Sequence, residues 1–211
     1  MKKNNIRTSC LVCKKKSLKE ILDLGIQPFA DTFIPESRLT EIENTYPLVC
    51  QLCNSCKNIQ LKYVTDPNKR YNDFEYSYTS SNSNFATSHW DELSNFLKRK
   101  NIIKKESKVL EIGSNDGYLL SKIKNTTNNI VGLDASKKMS EYANKKRIFT
   151  INGLLNSHSK EKIIKSFKKF DLVIANNVIN HMDDLKKSLI IIKSLLNKNG
   201  ILIFEQPYWL D

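Results

Sequence analysis

The sequence predicts an α/β fold: a parallel sheet covered by helices on both faces, with a smaller cysteine-bearing unit ahead of it in the chain. Three observations carry this. From Ser107 onward, short apolar runs alternate with amphipathic stretches of helical spacing. The short runs are apolar almost throughout, as strands buried on both faces must be. All five cysteines lie in the first 56 residues and four of the five prolines in the first 70, so the N-terminal third has a composition of its own.

The elements follow in order. Residues 1–70 read as a loop-rich unit with short strands, residues 71–100 as an aromatic and serine-rich segment, and residues 101–211 as the sheet domain. Within the middle segment, Phe85, His89, Leu93, Phe96 and Leu97 have helical spacing, with Ser83 or Asn84 as the cap and His89 as a packing residue. "KVLEI", "IVGLD", "IFTI", "FDLVIANNVI" and "ILIFE" are the five strands. "GYLLSKIK", "SKKMSEYANKK", "SKEKIIKSFKK" and "DDLKKSLIIIKSLLNKNG" are the helices between them. In the last helix Leu185, Leu189, Ile192 and Leu196 form one face, Asp183 and Asp184 sit at its positive end, and Gly200 ends it in a left-handed conformation.

Composition bounds the function. The chain has 211 residues, room for one ordinary domain and a small one, and 40% of them are hydrophobic, enough for a packed core. No apolar run approaches the roughly 18 residues that span a bilayer. The basic N-terminus "MKKNNIRTSC" lacks the apolar stretch of a signal peptide, so the expected location is cytoplasmic, without a membrane partner. The net charge of +12 raises the question of nucleic acid. Lysine supplies 29 of the 34 basic residues, arginine only five, and asparagine occurs 23 times. The lysines are scattered and read as solvated helix faces, and the residue best suited to reading phosphates and bases is scarce. Nucleic acid is therefore not the expected partner.

The chemistry concentrates in two places. The first is "SKVLEIGSNDGYLL", where strand 108–112 enters a turn bounded by Gly113 and Gly117 and holding Ser114, Asn115 and Asp116. In such sheets ligands bind beyond the carboxyl ends of the strands, and glycines let the backbone approach them. The helix that begins near Gly117 offers amide donors suited to an anionic group. The turn lacks the middle glycine of the dinucleotide fingerprint G-x-G-x-x-G. Glu111, just before it, is placed to attract a cationic sulfonium or amino group. Asp134 ends the second strand 17 residues after Gly117, about the spacing of a carboxylate that binds ribose hydroxyls. These features favour S-adenosylmethionine over NAD. Asn176 and Asn177, at the end of the fourth strand, face the same crevice, and Asn152 ends the third.

The second place is the pair of knuckles Cys10-Leu-Val-Cys13-Lys and Cys53-Asn-Ser-Cys56-Lys. Thiolates two residues apart can share one tetrahedral zinc, and two such pairs close a four-sulfur structural site. An odd number of cysteines in a cytosolic chain argues against a disulfide framework. Cys50-Gln-Leu-Cys53 is also a C-x-x-C. Cys53 with Cys56 is preferred because both chosen pairs are followed by lysine, which leaves Cys50 as a small core residue.

"LDLGIQPFADTFI", "YPLVCQLCNSCKNIQL" and "YSYTSSNS", followed by "VLEIGSNDGYLL", "ANNVINHMDDL" and "GILIFEQPYWLD", closely resemble the sugar C-methyltransferases that make branched deoxysugars. The resemblance runs along essentially the whole chain. It implies an N-terminal zinc-binding domain and a class I methyltransferase (Rossmann-like) sheet, truncated here after the fifth strand. It also implies methylation of carbon 3 of a nucleotide-linked 4-keto sugar with S-adenosylmethionine. A base removes the proton that the keto group acidifies, and donors stabilise the enediolate. On this resemblance Tyr76, Tyr78 and His181 are the catalytic candidates. Ser80, Ser81 and Ser83 are candidates for meeting substrate hydroxyl or carboxylate groups. The family continues past "PYWLD" to a tyrosine- and histidine-rich motif thought to supply the main base. The expectation is that these 211 residues alone are poorly active and need a separate chain carrying the C-terminal lobe. Two other readings stand beside this one: a zinc-containing RNA methyltransferase, and a zinc-stapled binding module or remnant without catalysis.

Overall fold

The computed structural model describes residues 6–72 and 75–207; the expectations for residues 73–74 and for "YWLD" at 208–211 lie outside that range. The chain divides into two compact units, one of residues 1–77 with 183–186 and one of residues 78–182 with 187–211.

In the N-terminal unit, strands β1 (Leu18–Gln27), β3 (Tyr46–Cys53) and β4 (Ile59–Leu61) form an antiparallel sheet in the order β1-β3-β4. A small pair, β2 (Thr32–Phe33) and β5 (Glu75–Tyr76), and a short helix α1 (Pro67–Asn72) complete it. Its apolar interior is slight. Among the described residues of this unit, Cys10, Val49 and Cys53 are the buried hydrophobic ones, and nine of the ten residues of β1 are exposed. Asp183 and Asp184 belong to this unit through Arg7 and Lys14. Arg7 donates to the Asp183 carboxylate at 2.8 Å, and Lys14 lies 3.9 Å from Asp184.

The second unit opens with helix α2 (Asn84–Arg99), capped by Ser83, whose hydroxyl accepts from the Ala86 amide at 3.1 Å. The chain then alternates β6 (Val109–Ile112), α3 (Tyr118–Ile123), β7 (Ile130–Asp134), α4 (Lys137–Lys145), β8 (Thr150–Asn152), α5 (Ser157–Phe167), β9 (Phe170–Ile174), α6 (Leu185–Leu195) and β10 (Leu196–Ile203). The five strands are parallel, in the order β10-β9-β6-β7-β8. From β6 the chain winds outward one way through β7 and β8, then returns to the other side for β9 and β10. The switch point therefore lies between β6 and β9, where a doubly wound sheet opens a crevice.

Strand alternation divides the core. Val109, Ile130, Leu172 and Ile174 pack with Trp90 and Leu97 of α2, Leu119, Leu120 and Ile123 of α3, and Ala143 of α4. Leu110, Val131 and Val173 pack on the opposite face with Ile163 of α5 and Ile191, Ile192 and Leu195 of α6. The same alternation puts Glu111 on the side of Val109, one residue from the carboxyl end of β6.

Three local expectations are corrected. The buried face of α2 is Trp90, Ser94 and Leu97, and Phe85 is 87% exposed. The buried face of α6 is Ser188, Ile191, Ile192 and Leu195, with Leu189 and Ile190 outward. An unbroken apolar run from Leu189 to Ile192 fits more than one helical stripe, so periodicity alone did not select between them. Gly200 is not left-handed; its φ is absent from the positive-φ residues, and it lies inside β10. Glycine is required there by close approach: a Cβ would stand 2.8 Å from the Phe170 carbonyl oxygen and 3.0 Å from the Asn197 amide nitrogen. Gly200→Ala should therefore destabilise the sheet unit by about 1–3 kcal/mol, the usual cost of forcing atoms into packed space, read as a lowered Tm. An unchanged Tm would remove this account of Gly200.

Candidate cofactor and metal sites

The four cysteines Cys10, Cys13, Cys53 and Cys56 converge, with all four sulfurs within 4.8 Å of one another. Cys10 and Cys56 sulfurs are 3.5 Å apart, and those of Cys13 and Cys53 are 3.6 Å apart. Thiolates at 2.3 Å from one tetrahedral zinc stand about 3.8 Å apart, so the cluster fits the ion with little adjustment. Cys50 is not part of it; it sits in β3 between Leu22 and Leu61.

The knuckles are built alike. The first cysteine of each accepts at its carbonyl from the lysine amide four residues on, Lys14 to Cys10 at 3.0 Å and Lys57 to Cys53 at 2.8 Å. Its own amide donates one residue further, to Lys15 at 2.9 Å and to Asn58 at 2.8 Å. Lys14 and Lys57 turn left-handed to close these loops, at φ of 62° and 63°. The shared lysine that selected the pairs is thus the residue that completes each turn. Sequence reading missed the supporting polar groups. The Gln60 side chain accepts from the Leu11 amide at 2.8 Å and donates to the Ser9 carbonyl at 3.2 Å, and Asn58 Nδ2 lies 3.8 Å from the Cys10 sulfur. They lie more than 45 residues from the knuckle they brace, too far for a local signal.

In the sheet unit, the turn after β6 is compact and internally satisfied. Gly113 has φ 71°, Asn115 has φ 50° and Gly117 has φ 76°. A Cβ on Gly113 would fall 2.1 Å from the Val178 Cγ2, so only glycine fits both the conformation and the space. All five amides of residues 113–117 donate within the chain. Gly113 and Ser114 donate to the Leu133 carbonyl, Asn115 to Asp134 Oδ2, Asp116 to Asn115 Oδ1, and Gly117 to the Ser114 carbonyl. The expected cradle of free amides for an anion is therefore not what this turn presents. The peptide groups close the turn, and α3, six residues long, adds little dipole.

What the turn presents is a cluster of buried carboxyl groups. Glu111, Asp116 and Asp134 are all buried. Burial, with the nearby Asp134 and Asp116 charges, raises the Glu111 carboxyl well above the usual carboxylate range. Burial likewise pushes Asp134 up to about 6, helped by the Asp116 charge and opposed by the Ser136 and Asn115 amides that donate to its two oxygens at 2.8 and 2.7 Å. Around the turn, Glu111 Oε2, Ser114 Oγ, Asp116 Oδ1 and both amide atoms of Asn176 are buried without a hydrogen-bond partner. An orphaned buried polar atom costs roughly 1–3 kcal/mol. Carboxyl groups that an incoming cation would help to ionise, beside an uncharged donor–acceptor pair, suit a ligand that brings a cation, hydroxyl groups and a polar heterocycle, as S-adenosylmethionine does.

The remaining residues read from the sequence take these places. Asn152 donates to the Asp134 and Ala135 carbonyls at 3.1 and 3.2 Å, bracing the end of β7. Asn177, at φ 53°, follows β9 and donates to Glu205 at 3.2 Å. Ser80 and Ser81 are brought onto the glycine turn. The Ser80 amide donates to Asn115 Oδ1 at 2.9 Å, the Ser81 hydroxyl donates to Asp116 Oδ2, and Asn115 Nδ2 donates to the Tyr78 carbonyl at 3.1 Å. Lys146 holds the same Asp116 oxygen at 2.9 Å. Residues 78–81 thus form a strap tied to the turn through Asn115 and Asp116. Ser83 caps α2. Tyr78 is 39% exposed on the strap, and His181 is exposed in a single 3₁₀ turn, Ile179–His181. Tyr76 lies in the N-terminal unit, in β5, edge-on to Tyr71 with ring centroids 5.3 Å apart.

Among the described residues no helix is long and apolar enough to cross a membrane. Comparison with known proteins finds a family for each part of the chain. Residues 10–71 match a family described as "Putative zinc binding domain", and residues 84–209, more than half of the chain, match the "Methyltransferase domain" family. The C-methyltransferase NovU of Streptomyces niveus is 23% identical over 202 residues, covering 96% of this chain and 48% of that protein. The ubiquinone biosynthesis O-methyltransferase of Pelagibacter ubique (strain HTCC1062) is 33% identical over 101 residues, covering 46% of this chain and 41% of that protein. The chain thus spans about half the length, or less, of the curated relatives it matches. The solved amino pentose methyltransferase CalS10 of Micromonospora echinaspora superposes with a TM-score of 0.46 at 15% identity, over 57% of this chain and 52% of that one. With a five-stranded parallel sheet, a glycine turn lined by buried acids and a cysteine cluster positioned for zinc, the chain belongs to the methyltransferase-domain family, on the class I fold that binds S-adenosylmethionine.

Proposed function

We propose that the chain serves S-adenosylmethionine-dependent methylation of a carbon atom in a nucleotide-linked 4-keto deoxysugar. The observation that carries this reading is the single alignment with a C-methyltransferase over 96% of the chain, which takes in the cysteine unit and the glycine turn together. The sugar comes from the motif resemblance, "YSYTSSNS" ahead of "VLEIGSNDGYLL" above all.

The bound cofactor supplies an electrophilic methyl group. On this reading the chain's own residues hold and orient it. Asp134 accepts from the ribose hydroxyls, and Glu111 and Asp116 face the cationic end. Gly113, Ser114, Asn115 and Gly117 shape the wall, and Asn152, Asn176 and Asn177 complete the crevice. A 4-keto group acidifies the neighbouring C–H, so the acceptor becomes a carbanion once a base removes that proton and donors hold the developing oxyanion. Tyr76, Tyr78 and His181 are the proposed donors, and Ser80, Ser81 and Ser83 the proposed contacts to the sugar. Ser83 keeps its hydroxyl proton and one lone pair for such a contact, since its oxygen accepts one hydrogen bond in capping α2.

One observation favours O-methylation instead: the 33% identity to a ubiquinone biosynthesis O-methyltransferase. That match covers 46% of the chain. Incubation with S-adenosylmethionine, a panel of nucleotide-linked 4-keto sugars and a panel of catechols, followed by mass spectrometry, separates the two. A sugar that gains a carbon-bound methyl group, at the low rate expected of this chain by itself, is the predicted outcome. Methylated catechol without methylated sugar would overturn the sugar reading.

A further inference from the structure

The strap of residues 78–81 is held largely by its main chain. Asn115 Nδ2 donates to the Tyr78 carbonyl at 3.1 Å, and Asn115 Oδ1 accepts from the Ser80 amide at 2.9 Å. One carboxamide therefore spans the backbone on either side of Thr79. The same Oδ1 accepts from the Asp116 amide at 2.8 Å, so two N–H donors meet at one atom and fix it as the oxygen. The Asn115 backbone is left-handed, at φ 50°, a conformation that asparagine tolerates, and its own amide donates to Asp134 Oδ2 at 2.7 Å. The second tie is Asp116, which is 1% exposed. Its Oδ2 accepts from the Ser81 hydroxyl and from the Lys146 ammonium, the latter at 2.9 Å, while its Oδ1 is buried without a hydrogen-bond partner.

Each tie thus has one end on the strap and the other on a group assigned to the cofactor. Asn115 joins the Tyr78 and Ser80 backbone to Asp134, the carboxyl assigned to ribose. Asp116 joins Ser81, through its unpartnered oxygen, to the cationic end of the ligand. We propose that Asn115 and Asp116 are positioning residues that couple cofactor binding to closure of the strap: the loaded site holds residues 78–81 in place, and the held strap retains the cofactor. The inference rests on the reading of the glycine turn as an S-adenosylmethionine site and does not depend on which acceptor is methylated.

The coupling follows from rigid planar groups. A carboxylate is planar, so a cation held at Asp116 Oδ1 also fixes where Oδ2 stands to meet Ser81. A ribose held at Asp134 likewise steadies the oxygen to which the Asn115 amide is bound, and with it the carboxamide that reaches the strap. Release of the strap strips Asn115 Nδ2 and Asp116 Oδ2 of partners in a buried setting, which is unfavourable. By linkage, the factor by which the cofactor tightens the strap equals the factor by which the strap tightens the cofactor. Tyr78, Ser80 and Ser81 are therefore set in place over a loaded cofactor site, and the acceptor meets a complete site after the cofactor has bound.

Amide exchange and titration read the two halves of this coupling. The zinc-loaded, isotope-labelled chain is followed by NMR with and without saturating S-adenosylhomocysteine, which keeps the ribose and the ammonium group to which the two ties run. Exchange of the Ser80 amide reports how often the strap opens. The ligand should slow it by about fivefold or more, the range of coupling between linked sites. Ser81→Ala, which removes a hydroxyl bound to Asp116, should weaken S-adenosylhomocysteine by about fivefold or more in calorimetry. Asn115→Gly keeps the left-handed turn and removes the carboxamide, and it should weaken binding similarly. The double variant should bind about as well as the weaker single variant, because the strap is released once. A strap that only packs on the turn predicts unchanged affinity in Ser81→Ala. Binding by the parent with Ser80 exchange slowed less than about fivefold overturns the coupling and leaves the cofactor site standing. So does a Ser81→Ala affinity within about fivefold of the parent, or a double variant whose losses multiply. No binding by the parent overturns the cofactor site and the coupling with it.

Discussion

Removing zinc unfolds the N-terminal unit of this chain. That is the expected result of dialysis against a strong chelator, and the reason is how little else holds the unit together. Among its described residues the buried apolar side chains are Val49 and two of the metal-binding cysteines themselves, Cys10 and Cys53. A unit of this size with so small a core needs a metal or another staple. Structural zinc in small domains is worth about 10–16 kcal/mol of apparent binding free energy, and that energy is folding energy. The purified chain should carry about one zinc. Cys13→Ser combined with Cys56→Ser should abolish metal binding and expose the amides of β1, β3 and β4 to rapid hydrogen exchange. Cys50→Ser, outside the cluster, should retain the metal. Elemental analysis without zinc, or a double variant that protects the same amides as the parent, would contradict the assignment.

Cofactor affinity should collapse when Asp134 is replaced. Its carboxylate ends β7, and both oxygens already accept from backbone amides, which leaves each with one lone pair to offer. A hydrogen bond to a charged acceptor is worth roughly 1.5–3 kcal/mol. Asp134→Ala should therefore weaken S-adenosylhomocysteine binding by about 10- to 100-fold, and more if the Asn115 amide, left without its acceptor, loosens the turn. The same carboxyl sets a pH dependence. Burial raises it from 3.8 to about 6 in the folded chain. On folding, then, the group gains proton affinity. The stability it contributes is fully present below pH 3.8 and is lost as pH rises through about 6. Binding should run the opposite way, since in the proposed role the ionised acceptor is the one that holds ribose. Affinity should be steady above pH 7 and fall about tenfold by pH 5. The same titration on Asp134→Ala should lack that fall near pH 6.

Much of this was legible in the sequence because it rests on local pattern. The five strands were marked by continuous apolar runs, since a parallel sheet buried on both faces leaves no polar alternation; "IVGLD" coincides with β7. The metal cluster was readable because two knuckles share the spacing C-x-x-C-K, which the turn geometry itself demands. Glu111 and Asp134 could be placed because each is fixed to a strand end. The rest was hidden for a physical reason: it depends on partners far away in the chain. His89 is a helix residue of no special pattern until Glu205, 116 residues later, meets it. The strap was visible as "YSYTSSNS", but that Asn115 and Asp116 would hold it was not, because their side chains looked committed to a ligand. The faces of α2 and α6 were misplaced where apolar residues crowd more than one helical stripe. Gly200 was assigned to a helix end from its neighbours, whereas the β9 backbone pressing on it is what excludes a side chain.

The central claim is that the turn from Gly113 to Gly117, with Glu111 and Asp134 behind it, is built to hold S-adenosylmethionine. Isothermal titration of the zinc-loaded chain with S-adenosylhomocysteine at pH 7.5 tests it most directly. The account predicts saturable binding of about one ligand per chain, with a Kd on the order of 1–100 μM, as is usual for enzyme ligands. A folded, zinc-loaded chain that takes up no ligand at millimolar concentration would contradict it.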